Sequence, residues 1–397
     1  NFWSVGASWN VVAEKFMQTQ KLFSDLRLRI TYGSNGNQSI GDFDSKGLYG
    51  NTYSYDNNPG FALIQYGNEL LTWEKNKPFN VGLDFGILNS RIQGSIEYYV
   101  RTTSALLLDR PVSATNGVTS VMQNIGSMEN SGIELEMNTV NIQSKESDFS
   151  WNTRFMFATL KNKITKLQSP IVGTFNRYEG GDFYQYYLPG FAGADENNGE
   201  SLWYTDGTKS ATTNVYGKAA RFNQGSALPD WYAGITNTFA YKGISLSFQL
   251  YGNFGNKLYD NWGSNSYSDG SAGFGPTSAL PRYYYENRWQ KAGDRGKQPK
   301  VMYRGSQSGS SNHSSTRFLY DGDYIRLRDI TVGYQLPKQW INNLHLGSAR
   351  IYLRSNNLYT WLKDDRLSFD PEVGVDGYVD QNAPVYKTIL IGLDIKF

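Results

Sequence analysis

The sequence has no cysteine and only two histidines, His313 and His345, among its 397 residues. Without cysteine there is no disulfide, no thiolate nucleophile and no Cys-based zinc site. Two histidines in unrelated contexts, without HxxxH-like spacing, leave little basis for a His-rich metal centre or a Ser-His-Asp engine. A surplus of one charge is missing too: 38 Lys and Arg against 36 Asp and Glu leave a formal charge of +2. No basic patch stands out of the kind that neutralises phosphates, so nucleic acid is not an expected partner. No apolar run reaches the roughly 18 residues of a transmembrane helix. A leader is not evident either, because Asn1-Phe2-Trp3 begins inside an alternating pattern, with no basic start and no apolar stretch after it. The chain reads as a mature fragment or the later part of a longer one. Length alone would suggest about two or three soluble domains, yet no Pro-rich or charged linker marks a boundary.

What the chain does have is aromatic and uncharged polar: 10 Trp, 29 Tyr, 21 Phe and 41 Gly, with 39% hydrophobic and 19% charged residues. Disorder usually needs high net charge and few aromatics, so this chain should fold. Its dominant period is two, the spacing of strands whose successive side chains face opposite sides of a sheet. Phe79, Val81, Leu83, Phe85 and Ile87 alternate with Asn80, Gly82, Asp84 and Gly86. Ile133, Leu135 and Met137 alternate with Glu134, Glu136 and Asn138, and Ile244, Leu246, Phe248 and Leu250 with Ser245, Ser247 and Gln249. Eleven such segments are expected, near 2–12, 25–32, 79–87, 91–101, 132–140, 149–160, 231–241, 244–254, 324–335, 349–358 and 388–397.

Connections between the segments alternate in length. Those at 86–90, 141–147, 241–243 and 336–348 are short, whereas 33–72, 102–130, 161–229, 256–322 and 359–387 are long and rich in Gly, Ser, Asn and Tyr. Outer-membrane β-barrels show this asymmetry, with tight periplasmic turns and long external loops, and a soluble sandwich is the weaker alternative. The last residues, Ile389 to Phe397, are apolar at every odd position and end on an aromatic, as suits a final barrel strand in a periplasmic aromatic girdle. An ordinary amphipathic edge strand is the bland alternative, although so apolar an edge would invite aggregation in water. Single-chain bacterial barrels close with an even number of strands, so an odd count of eleven points to further strands before Asn1. One strand also breaks its own period. Ile325 and Leu327 are odd-numbered but Ile330, Val332 and Tyr334 are even, which predicts a bulge around Arg328 and Asp329.

An ordered set of short motifs then carries a family resemblance. It comprises Ser8-Trp9, Leu26-Arg27-Leu28-Arg29-Ile30-Thr31-Tyr32-Gly33, Gly36-Asn37-Gln38, Trp73-Glu74-Lys75, Asn80-Val81-Gly82-Leu83-Asp84 and Asn124-Ile125-Gly126-Ser127-Met128. Gly132-Ile133-Glu134, Leu228-Pro229-Asp230-Trp231, Asp321-Gly322-Asp323-Tyr324-Ile325-Arg326-Leu327-Arg328, Asn356-Asn357-Leu358, Asp370-Pro371-Glu372 and the terminal Gly392-Leu393 to Phe397 complete it. Over nearly its whole length the chain resembles the SusC/RagA class of TonB-dependent outer-membrane transporters of Bacteroidota. The resemblance implies an all-β fold: the C-terminal portion, residues 1–397, of a transmembrane antiparallel β-barrel of about 22 strands, roughly half of it. The N-terminal plug, the TonB box and the early strands have no counterpart here.

Function follows as an implication of the resemblance: active import of oligomeric nutrients, glycan or peptide, across the outer membrane. The implied partners are a SusD-like surface lipoprotein, the TonB complex through the N-terminal region, the oligosaccharide or peptide substrate, and outer-membrane lipid, with the C-terminus periplasmic. A SusC-like barrel serving as a structural or assembly subunit is the alternative. No cofactor is expected. Calcium is kept open for the loop Asp195-Glu196-Asn197-Asn198-Gly199-Glu200 with Asp206-Gly207, although its ligand spacing does not match an EF-hand.

Two groups of residues are candidates. Arg27, Arg29, Asp84, Glu97, Arg101, Glu134, Glu136, Arg154, Arg326 and Arg328 should face the lumen, forming a substrate path or pairing across neighbouring strands. Glu134 and Glu136 share a face but lack the opposed geometry of glycosidase carboxylates, so no enzyme activity is expected. Phe183, Tyr184, Tyr186, Tyr187, Trp203, Tyr204, Tyr259, Trp262, Tyr267, Tyr283, Tyr284, Tyr285 and Trp289 lie in the long loops. There the rings can stack on a ligand, anchor a partner, or pack the loops and the interfacial girdle.

Overall fold

The computed structural model describes residues 2–38, 41–144, 148–263, 282–295, 298–302, 311–342, 346–380 and 382–397, so Tyr267 and His345 lie outside the described residues. Contacts divide the chain into two compact units. The first comprises Asn1–Thr139, Phe155–Val172 and Asn176–Phe183, and the second Val140–Arg154, Gly173–Phe175 and Tyr184–Phe397.

In the first unit, β1 (Trp3–Asn10), β2 (Phe23–Asn37), β3 (Glu74–Ile87), β4 (Ile92–Ser104) and most of β5 (Ser127–Gln143) pair antiparallel in sequence order. Register sorts the side chains by face. Leu28 stands opposite Leu83, Leu83 opposite Ile96, and Ile96 opposite Leu135. One residue further, Arg29, Gly82, Glu97 and Glu134 form the neighbouring row. Opposed residues share a face and consecutive ones do not, so one side of the sheet is apolar and the other charged. Leu28, Ile30, Ile96, Tyr98 and Ile133 are all exposed on the apolar side. Gly132 is required on the other face: a Cβ there would lie 2.1 Å from the Thr159 carbonyl oxygen and 2.8 Å from the Tyr99 hydroxyl.

The connections of this unit include structure that alternation did not foresee. Within the long stretch 33–72, Leu48–Tyr55 and Asn58–Gln65 form a hairpin. Its turn at Asp56 and Asn57 has φ of 48° and 61°, the left-handed pair that a two-residue hairpin turn needs and that Asn and Asp tolerate. A second hairpin joins Leu107–Pro111 to Ser120–Asn124.

The second unit holds the first part of β6 (Phe149–Thr159) and then β7 (Trp231–Tyr241), β8 (Ile244–Phe254), β9 (Tyr324–Gln335), β10 (Ser348–Leu362) and β11 (Thr388–Lys396), neighbours in that order. β7 and β8 are joined by a two-residue turn in which Lys242 and Gly243 both have positive φ. The expected bulge is present. Against β8, Leu327 pairs with Leu250 and Asp329 with Gln249, which leaves Arg328 as the extra residue; against β10, Leu327 pairs with Tyr359 and Asp329 with Asn356, so the single Arg328 stands opposite Asn357 and Leu358. Ile325, Val332 and Tyr334 thereby come out exposed on one face while Arg326 is buried on the other. At the loop end, Trp231 stacks on Phe254 with centroids 4.0 Å apart, and Tyr359 meets Trp361 edge-on. At the other end, Tyr241, Tyr334 and Phe397 are exposed. The Gly347 amide, just before β10, donates to the Lys396 carbonyl, so the C-terminus sits beside the start of β10.

Each of the eleven expected segments thus corresponds to a long strand. The buried apolar clusters of the second unit lie elsewhere, in its connections, around Tyr186, Tyr259, Phe318 and Leu258. No described helix is long and apolar enough to cross a membrane.

Candidate functional site

The charged residues fall into two arrangements. On the polar face of the first unit, Arg29 lies across from Gly82, and the missing side chain there lets its guanidinium reach Asp84 through two hydrogen bonds of 2.8 and 2.9 Å. Glu97 adds a longer contact at 3.9 Å. This is the cross-strand pairing expected of these charges, and with both partners about a third exposed it contributes modestly to stability. Arg27, Glu134, Glu136 and Arg154 are exposed along their strands, and the Arg101 guanidinium lies 5.0 Å from the Tyr99 ring centre.

Arg326 and Arg328 depart from that expectation. Neither pairs with an acid on an adjacent strand in the ion pairs seen here; both turn to the connection after β10. Arg326, 1% exposed, donates to Asp370 at 2.8 Å, to Glu372 at 2.9 Å and to the Thr360 hydroxyl at 2.9 Å. Arg328 also donates to Glu372, and the Tyr324 hydroxyl reaches the same carboxylate at 2.7 Å. A guanidinium so enclosed is tolerated because every nitrogen has an acceptor. Pairing across strands was the natural reading of the sequence, but the bulge and a long connection bring acids from 44 and 46 residues away. Above this clamp, Lys363 bridges Asp321 at 2.9 Å and Asp323 at 2.7 Å, and those two carboxylates hold its ammonium protonated well above its ordinary range. Burial alone would raise the Asp364 carboxyl, but Arg366, together with the Asp321 amide, outweighs it and holds the group below its usual value.

The loop aromatics separate by burial. Tyr186 and Trp203 are 0% exposed, Tyr259 2% and Tyr284 6%. Tyr186 lies among Phe175, Tyr259 and Tyr378 at centroid distances of 5.0 to 6.3 Å, and its hydroxyl donates to the Asp376 carbonyl at 3.0 Å. Burial pushes the Tyr259 phenol up to about 12 and drives Tyr186 and Tyr284 upward as well. Of the three roles left open for the loop rings, Tyr186, Trp203, Tyr259 and Tyr284 fit packing of the loops, because other side chains cover their faces. Tyr184 and Tyr283 are half-buried against the same cluster. Phe183, on the first unit, is half-buried under the Arg177 guanidinium. Tyr187, Tyr204 and Trp262 are half-buried. Among the described candidates Tyr285 is the one that stays open, at 57% exposure, with the Arg288 guanidinium 3.9 Å from its ring centre.

The acidic loop has its own employment. Asp195 accepts from the Asn197 amide at 2.7 Å and Asn198 from the Glu200 amide at 2.9 Å, while Glu196 pairs with Arg295 at 2.7 Å. Gly199 is the seat of Trp289, whose ring would lie 2.6 Å from a Cβ at that position. These oxygens accept from the loop's own amides and from an arginine. Among the described residues no group of three or more His, Asp or Glu could hold a metal. Phe175, Phe318, Tyr378 and the buried Arg317 belong to the same loop core and were not singled out from sequence, where isolated rings in a polar stretch carry no periodic signal.

Residues 1–358 match the family model described as TonB dependent receptor-like, beta-barrel. The chain is 30% identical over 441 residues to the TonB-dependent receptor SusC of Bacteroides thetaiotaomicron, covering 100% of this chain and 40% of that protein. It is 29% identical over 439 residues to TonB-dependent receptor P26 of Formosa agariphila, covering 99% of this chain and 42% of that protein. The solved structure of the RagAB peptide transporter superimposes with a TM-score of 0.81 at 28% identity, over 100% of this chain and 43% of that one. The chain spans about two fifths of the length of the curated relatives it matches.

Proposed function

The chain belongs to the TonB-dependent receptor-like β-barrel family, and from that premise we propose that it is the C-terminal part of an outer-membrane importer of oligomeric nutrients, glycan or peptide. In such a barrel of about 22 strands the apolar rows meet lipid and the charged rows line the lumen. Energy comes through TonB from the N-terminal region, and a SusD-like lipoprotein closes over the external loops. The short turns and Phe397 face the periplasm. The observation that carries this reading is the likeness, over the whole chain, to a solved peptide transporter. The open Tyr285–Arg288 pair supports a contact role at the mouth, since a guanidinium over an exposed ring offers both a stacking face and donors. The test is uptake of fluorescently labelled peptides and oligosaccharides by cells carrying the full-length protein, with and without an intact TonB box. Loss of uptake of one class on removing the box, with barrel assembly retained, is the expected result. Undiminished uptake of both classes in cells lacking the protein would overturn the proposal.

A further inference from the structure

Residues 363–380, between β10 and β11, do not arch away as a free loop. Near the middle, Asp370 and Glu372 bind the buried Arg326 at 2.8 and 2.9 Å on the polar face of β9. Four residues on, the same segment is part of the aromatic loop core. The Asp376 carbonyl accepts from the Tyr186 hydroxyl at 3.0 Å, the Gly377 carbonyl from the Tyr259 amide at 2.9 Å, and the Val379 carbonyl from the Asn261 amide at 3.0 Å. Tyr378 and Val379 pair in parallel with Tyr259 and Asp260, and the Tyr378 ring lies 5.4 to 6.3 Å from those of Phe175, Tyr186 and Tyr259. Gly377 keys the fit: its φ is +67°, and a Cβ there would meet the Tyr186 hydroxyl at 2.6 Å and the Lys257 carbonyl at 2.8 Å. A charged clamp on the wall and an apolar, hydrogen-bonded seat under two other loops are thus built from one short piece of chain.

We propose that 363–380 is an inward-folded strap that couples the connections containing Tyr186 and Tyr259 to the barrel wall, with Arg326 as its positioning residue. Only residues 373–375 separate the two anchors, too short a span to let one end move while the other stays, since a residue extends about 3.3–3.6 Å at most. The segments around Tyr186, Tyr259 and Tyr378 therefore loosen or hold as one body. A ligand or lid that grips any of them engages all, whatever the barrel carries.

The test is amide hydrogen exchange on the assembled full-length protein, reading each variant at the anchor it does not touch. Arg326→Gln removes the buried centre of the clamp, leaving Glu372 to Arg328 and Tyr324, and Asp370 without its guanidinium, and should raise exchange at least about tenfold in Gln185–Pro189 and Lys257–Asp260, with β9 and β10 amides unchanged. Gly377→Ala breaks the seat and should raise exchange by a similar factor at 364–372, where no charge has been altered. Arg326→Lys keeps one carboxylate contact and should fall between. An Arg326→Gln variant that loosens only 364–375, or neither region, overturns the coupling. If that variant does not assemble, Gly377→Ala decides: unchanged exchange at 364–372 refutes the strap, and increased exchange supports it.

Discussion

Replacing Ile96 with Arg tests which face of the sheet meets lipid. β4 runs from Ile92 at the turn end to Ser104 at the loop end, so Ile96 stands four residues above the turn. At about 3.3 Å per residue and a tilt near 40°, that is roughly 10 Å into an apolar band about 25 Å tall. Arginine near the midplane of such a barrel costs about 2–4 kcal/mol. Ile96 is 44% exposed, with Leu83 and Leu135 opposite it, so the introduced side chain has no polar neighbour in its own row. Its long stem can bend toward the headgroups, which places the expectation at the lower end, about 2 kcal/mol. Glu97→Gln, one residue away, removes only the 3.9 Å contact to Arg29 on the watery face and should cost well under about 1 kcal/mol. Urea titration of folding into lipid vesicles, followed by heat-modifiable gel mobility, compares the two. A Glu97 variant costing as much as Ile96→Arg, or a neutral Ile96→Arg, would refute the assignment of faces.

Three further outcomes follow from the same geometry. Tyr259 titrates at about 12 in the fold against an ordinary 10.0, so its contribution is complete below about pH 10 and is lost as pH rises through about 12, up to roughly 2.7 kcal/mol; tyrosinate absorbance should show the loop core opening in that window while strand circular dichroism persists, and titration of all tyrosines near their ordinary value would contradict it. Trp203→Ala empties a site that is 0% exposed and should destabilise the loops by about 3–5 kcal/mol, seen as protease cleavage within 191–226 on barrels that still migrate as folded. Gly132→Ala forces a methyl against the Thr159 carbonyl at 2.1 Å, so assembly yield should drop severalfold, whereas Gly217→Ala, with nothing within 4 Å, should leave it unchanged.

Alternation by itself determined the wall. A strand between lipid and water exposes each side chain to one solvent or the other, so the choice is written residue by residue, and Leu28, Leu83 and Leu135 could be assigned to one face and Arg29, Glu97 and Glu134 to the other before any pairing was seen; which of them stand opposite one another came from the register. The bulge at Arg328 was legible for the same reason, as a parity change inside one strand. The motif order carried the family. The loops were different. Tyr284 and Tyr285 are adjacent and chemically identical, yet one is 6% exposed and the other 57%; nothing local distinguishes them. Tyr186 is buried because Asp376 and Tyr378 arrive from 190 and more residues away, and Arg326 is clamped by acids that a long connection returns to the wall. Burial in these segments depends on which distant pieces of chain meet, and only the tertiary structure decides that, because irregular connections lack the repeating period through which a strand declares its faces.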